Sequence, residues 1–186
     1  MLFASLILSA DEIDGYTAID YDDVKPTDWF FDYVQDVTAR GLMNGTSTGL
    51  FSPQGTATRG QIVQILYNIA GQPEVDEVKV DGWFGVPATW AMNKGIVAGY
   101  ADGDFHGNDP VTREQLATII WAFEGAPEQS GTLSFADADK VSSYAVQALL
   151  WAKKEGIIGG KPGNKVDPQG TATRAEIATI FSNYMK

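Results

Sequence analysis

One pattern is written three times along this chain. Thirty positions before Arg59, Arg113 and Arg174 stands an aromatic residue: Trp29, Trp83 and Tyr144. Eighteen before stands a glycine (Gly41, Gly95, Gly156), and fourteen before a second one (Gly45, Gly99, Gly160). Phe51, Phe105 and Val166 lie eight before, and Pro53, Gly107 and Pro168 six before. The arginines are 54 residues apart (59 to 113) and then 61 apart (113 to 174), the extra residues falling mostly in a Gly-, Pro- and Ser-rich connector after Glu124. A repeat of this size is one supersecondary unit that cannot bury its own apolar face, so the copies must pack on one another.

Each arginine sits in a helix-start signature: Thr58-Arg59-Gly60-Gln61, Thr112-Arg113-Glu114-Gln115 and Thr173-Arg174-Ala175-Glu176. A threonine followed three residues later by Gln or Glu, ahead of an apolar run, is a capping box. Ile62, Ile65, Leu66 and Ile69 follow at helical spacing, then Leu116, Ile119, Ile120 and Phe123, then Ile177, Ile180, Phe181 and Tyr184. An earlier helix in each unit ends at Gly41, Gly95 or Gly156, where a left-handed C′ residue is expected, with Leu42, Ile96 and Ile157 buried just after. Its inner face is marked by Phe30, Val34, Val37 and Leu42 in the first unit and by Tyr144, Leu149, Ala152 and Ile157 in the third. A loop of about fifteen residues rich in Gly, Asp, Asn and Pro joins the two helices. The pattern predicts an all-α chain of three helix-loop-helix repeats. It also places a cation at N1, where the helix dipole disfavours it by about 0.3–1 kcal/mol. Three arginines in that position ask for an anion, which would also meet the free first-turn N–H groups.

Composition narrows what that anion is. With 13 Lys and Arg against 24 Asp and Glu, the formal net charge is −11. Such a surface repels nucleic acid and anionic lipid, so an anionic partner must be caught by local cations. No cysteine is present, which removes disulfides and thiolate chemistry. No run approaches the roughly 20 apolar residues of a membrane span. Met1 to Ala10 is apolar with a small-residue end, as in a signal peptide, but no Lys or Arg precedes it. The reading it favours is a short helix on the repeats or a clipped piece of a longer protein, with residues 11–23 as an acidic, irregular lead-in.

Asp23-Val24, Trp29-Phe30, Gly41-Leu42, Gly45, Phe51-Ser52-Pro53 and Thr58-Arg59, with their later copies, make residues 20–186 resemble three tandem S-layer homology modules. The resemblance divides the chain into a lead-in, residues 1–19, and modules at 20–73, 74–130 and 131–186, together forming one compact domain. It implies a pseudo-three-fold helical domain with the second helices as a central bundle, and no cofactor or metal. It further implies non-covalent anchoring of extracellular surface proteins to the bacterial cell wall or S-layer. The expected partner is secondary cell-wall polysaccharide bearing pyruvate ketals on amino sugars, held in grooves between modules, with a larger passenger region expected on the N-terminal side.

Arg59, Arg113 and Arg174 are the expected ligand contacts, because a guanidinium forks onto a carboxylate. Each contact is worth about 1.5–3 kcal/mol, and several sites on one polymer gain avidity. Alanine at all three is expected to abolish wall binding without unfolding. The other reading has each arginine bridging to an acid of a neighbouring module, with Asp23 and Asp137 as candidates. Asp23, in the opening motif, is counted with the ligand-binding set. Trp29 and Trp83 stack on sugar or serve as hydrophobic anchors; Gly45, Gly99 and Gly160 admit a sugar or make a turn. Gln61, Gln115 and Glu176 read as reciprocal caps. Lys161 and Lys165 make the module 3 loop the most cationic, against His106 alone in module 2. Glu77 replaces the opening Asp in module 2, and Gly60 weakens the second helix start of module 1 by about 1 kcal/mol relative to Ala.

An enzyme is not expected. His106 is alone, and no nucleophile elbow is present. The run from Asp102 to Asp109 hints at a calcium loop, but its twelfth position is Arg113, where a bidentate Glu is needed. Acid pairs such as Asp22-Asp23 have no fixed separation. The alternative to a carbohydrate anchor is a structural or protein-interaction module whose arginines hold an assembly together.

Overall fold

The second helix of each copy forms where its capping box begins. The computed structural model describes residues 20–186, and the expectations for residues 1–19 lie outside them. Helices α1 (Phe31–Ala39) and α2 (Arg59–Ile69) belong to module 1, α3 (Gly85–Asn93) and α4 (Arg113–Phe123) to module 2, and α5 (Val146–Lys154) and α6 (Arg174–Tyr184) to module 3. Short 3-10 turns at Ala138–Lys140 and Ser143–Ala145 precede α5. Thr58, Thr112 and Thr173 cap α2, α4 and α6, each box closed in both directions. Gly41, Gly95 and Gly156 take φ of 69°, 70° and 71°. The next residue's N–H then reaches back to Val37, Ala91 or Ala152, a Schellman closure that satisfies an orphan carbonyl. The described residues contain isolated β-bridges but no extended sheet.

Helices pair across modules. α3 packs on α2, α5 on α4, and α1 closes the circle on α6; α2 and α4 also touch. Each first helix therefore covers the second helix of the preceding module. Periodicity fixes which face is apolar but does not name the partner of that face. Ile62, Leu66, Leu116, Ile120, Ile177 and Phe181 are all fully buried in one continuous core. Phe30, Val34, Val37 and Leu42 are buried as expected, whereas Tyr144, expected inside, is half exposed. Its neighbour Ala145 takes the inner place.

Gly60 is not a weak spot in its helix. A Cβ there would stand 2.8 Å from Phe84 Cδ1 and 2.9 Å from Gly107 O. The bare backbone is what lets module 2 seat Phe84 against the start of α2. Gly60→Ala is therefore expected to lower stability by about 1–3 kcal/mol through overpacking, reversing the gain of about 1 kcal/mol that helix propensity predicts. Urea unfolding decides the sign.

Candidate functional site

Three grooves of similar size lie where the modules meet. One, of about 450 Å³, runs between Gly41–Thr46 and α2 and is lined by Trp83 and Arg174. The second, of about 470 Å³, runs between residues 96–100 and α4, lined by Tyr144 and Arg59. The third, of about 380 Å³, runs between residues 157–162 and α6, lined by Trp29 and Arg113. Each groove takes its loop and second helix from one module, its arginine from the preceding one and its aromatic from the following one. The structure thus gathers Gly45 with Trp83 and Arg174, Gly99 with Arg59, and Gly160 and Lys161 with Trp29 and Arg113.

The aromatics are presented to the grooves: Trp29, Trp83 and Tyr144 are 61%, 58% and 52% exposed, with Tyr144 tethered at its hydroxyl by Glu114. Anchoring falls to the adjacent Phe30 and Phe84, which are buried and meet the indoles edge-on at 5.3 Å. Tyr144 occupies the third aromatic position and was absent from the expected site set. The thirty-residue offset to Arg174 was the signal that could have found it. Gly45 serves its own turn as well as its groove, since a Cβ would come within 2.7 Å of Leu50 O.

The arginines are struts. All three are buried. Arg59 donates from Nε to Phe105 O (3.3 Å) and from Nη2 to Ala98 O (3.2 Å). Arg113 does the same to Val166 O (2.6 Å) and Gly159 O (3.3 Å). Arg174 closes the circle on Phe51 O (2.8 Å) and Asn44 O (2.6 Å). Each guanidinium thus ties its helix to the next module's loop through carbonyls. Among the described residues an acid of the neighbouring module joins in only at Arg113, whose Nη1 lies 3.3 Å from Glu176, and neither expected aspartate does. Burial lowers the Arg174 pKa from its ordinary value, and the group stays charged as arginines in proteins do.

Asp23 has a different task and lines none of these grooves. Its carboxylate accepts the N–H groups of Phe51 (2.9 Å) and Ser52 (2.8 Å), while Asp137 accepts those of Val166 (2.8 Å) and Asp167 (2.9 Å). Phe51 and Val166 are therefore clamped at both ends, N–H by an aspartate and C=O by an arginine. In module 2, exposed Glu77 plays no such part, and Asp104 accepts the Phe105 N–H (2.7 Å) instead.

Two further expectations are corrected. The first-turn N–H groups are not free to seat an anion. Those of Arg59 and Gly60 donate to Asp109 and Gly107, those of Arg113 and Glu114 to Gly170 and Pro168, and those of Arg174 and Ala175 to Gly55 and Pro53. The third N–H bonds the threonine cap. Nor is Lys161 a spare cation: its Nζ lies 2.9 Å from Asp167 and 3.4 Å from Glu176. In the would-be calcium loop, Asp102 and Asp109 flank His106 at 2.6 and 3.3 Å.

Glu114 has no counterpart in the other modules, where Gly60 and Ala175 stand. Buried, it accepts the Ser142 N–H (3.0 Å), the Ser142 hydroxyl (2.8 Å), the Tyr144 hydroxyl (2.9 Å) and the Gln169 amide (2.7 Å). Burial by itself raises its pKa, but these donors outweigh it and the net shift is downward. Burial and the Glu114 bond push Tyr144 up to about 12. A folded pKa below the unfolded one stabilises above the ordinary carboxyl value of 4.5, and that stability is lost as pH falls through the folded value. Asp137, also lowered, acts in the same direction. Urea midpoints between pH 7 and 3 are expected to fall more steeply for the native chain than for Glu114→Gln; equal slopes would remove Glu114 from the account.

A family model described as the S-layer homology domain matches residues 20–63, 77–117 and 134–178, most of the described chain. The chain belongs to the S-layer homology family. It is 30% identical to an amylopullulanase of Thermoanaerobacterium thermosulfurigenes, over 95% of this chain but 10% of that protein. Identity to the surface-layer 125 kDa protein of Lysinibacillus sphaericus is 31%, over 80% of this chain and 13% of the relative. A cellulosome-anchoring protein of Acetivibrio thermocellus is 30% identical over 49% of this chain and 21% of its own length. The chain thus spans between a tenth and about a fifth of these relatives. S-layer homology domains anchor to the cell surface, and family and relatives place this one outside the cell, associated with the wall. No helix among the described residues is long and apolar enough to cross a membrane.

Proposed function

We propose that this S-layer homology domain holds a surface protein to the wall by binding secondary cell-wall polysaccharide in the inter-module grooves. The carboxylate of a pyruvate ketal is the recognised charge. One observation carries the reading: each groove pairs an exposed aromatic face with a buried guanidinium from another module. A pyranose offers both complements, an apolar ring face for the aromatic and an acidic ketal for the arginine. More than one such groove on a single domain gains avidity from a repeating polymer. A passenger carried on the same chain would share the anchor, as the unmatched length of the relatives suggests.

The arginine–carbonyl bonds favour a second reading, in which the guanidiniums serve only to join modules and the domain works as a protein-assembly unit. Co-sedimentation with purified sacculi, before and after chemical removal of the secondary polysaccharide, separates the two. Anchoring to the glycan is expected to vanish on stripping and to be competed by a soluble pyruvylated sugar. Retention on stripped sacculi would redirect the reading to peptidoglycan, and no retention on either would favour the assembly role.

A further inference from the structure

The three grooves differ at the residue three positions into the second helix, which is Gln61 in the Trp83 groove, Gln115 in the Tyr144 groove and Glu176 in the Trp29 groove. Glu176 Oε1 lies 3.3 Å from Arg113 Nη1 and 3.4 Å from Lys161 Nζ. Lys161 is held in turn by Asp167, so the cations of the Trp29 groove are already matched by carboxylates of the chain. In the other two grooves the corresponding side chain is a neutral amide. Among the described residues, Nη1 of Arg59 and of Arg174 makes no hydrogen bond or ion pair. Neither is a fully buried orphan, so both keep some access to solvent, and Arg59 and Arg174 each line their groove. A guanidinium nitrogen in that state has donor capacity and charge to offer; Arg113 Nη1 has an internal carboxylate instead.

Resting on the glycan-binding reading above, we infer that a carboxylate-bearing sugar is taken by the Arg174 and Arg59 grooves only, and that Glu176 acts as a built-in competitor excluding it from the Arg113 groove. A ligand carboxylate entering there meets Glu176 at the same nitrogen, so it must displace one anion or sit beside another. Module 3, with its two loop lysines, looks the most cationic in sequence and is the least receptive in space. An uncharged sugar face can still stack on Trp29.

The exchange of Gln and Glu is a clean probe, because either residue closes the capping box: Glu176 accepts the Thr173 N–H as Gln61 and Gln115 accept those of Thr58 and Thr112. The probes are the 4,6-pyruvylated methyl glycosides of N-acetylglucosamine and N-acetylmannosamine, with their methyl esters as uncharged controls, titrated calorimetrically into the whole chain. Two sites are expected in the native protein, three in Glu176→Gln, and one in either Gln61→Glu or Gln115→Glu. The lost or gained site is expected to change at least about tenfold in Kd. Arginine Nε–H resonances of Arg59 and Arg174 should move with the ketal, and that of Arg113 only in Glu176→Gln. Three equal sites in the native chain, or no third site in Glu176→Gln, would overturn the inference while leaving glycan anchoring intact. Absence of ketal binding, with sacculus retention indifferent to stripping, would overturn the anchoring reading and the inference with it.

Discussion

Alanine at Arg59, Arg113 and Arg174 together is expected to leave no cooperatively folded domain. Each guanidinium makes two hydrogen bonds to carbonyls of the next module from a buried position. A hydrogen bond to a charged group is worth about 1.5–3 kcal/mol, so each replacement should cost about 3 kcal/mol or more. The three sites share no partner, so their costs add to roughly 9 kcal/mol. That rivals the whole 5–15 kcal/mol by which ordinary domains are stable. Loss of wall binding in such a variant would say nothing about ligand contact, contrary to the sequence-based expectation that binding alone would fail. Lysine is the informative replacement, since it keeps a charge but cannot make the fork. A triple alanine variant that melts cooperatively near the native temperature would show that the struts are dispensable.

A fragment ending at residue 130 is expected to be unfolded, although it contains two complete modules by sequence. Its α1 loses α6 and its α4 loses α5, because every first helix is covered by another module's second helix. Phe30, Val34 and Val37, buried in the whole chain, would lie open along α1. Leaving such side chains in water forfeits about 1.5–3 kcal/mol each, and Leu116 and Ile120 on α4 face similar exposure. These losses exceed what the remaining α2–α3 pair can supply. Circular dichroism on residues 20–130 checks this: a sharp thermal transition with native-like helicity would mean that a module is an independent unit after all.

Much of the architecture was legible because it is local. Capping boxes, C′ glycines and the apolar stripes of α2, α4 and α6 depend on residues three or four apart, and all formed where their spacing put them. The gathering of Trp29, Trp83, Gly45, Gly99, Gly160 and the three arginines along the grooves was legible too, because the repeat sets them in register. What the spacing left open depends on particular neighbours in space. Gly60 was read against helix propensity, but Phe84 decides its worth. The first-turn N–H groups were read as free because the loop carbonyls that engage them come from the next module. Charge pairs the arginines with Asp23 and Asp137, whereas these aspartates meet backbone amides and the arginines meet carbonyls, with Glu176 as the one neighbouring acid, at Arg113. Lys161 was read as an open cation because Asp167 and Glu176 are near it only in the fold. Glu114 stands outside the repeat, with Gly60 and Ala175 at its place in the other modules, so no recurrence marks it.

The composite make-up of the grooves also bears on how such a domain can change over generations. Every module plays three parts at once, lending an arginine to one groove, an aromatic to another, and the loop and second helix to a third. A module therefore cannot be duplicated, lost or exchanged singly without disturbing all three grooves. The unit that must stay whole is the triplet, and change within it is confined to point substitutions that each groove tolerates, such as Glu176 standing where the other modules carry Gln61 and Gln115.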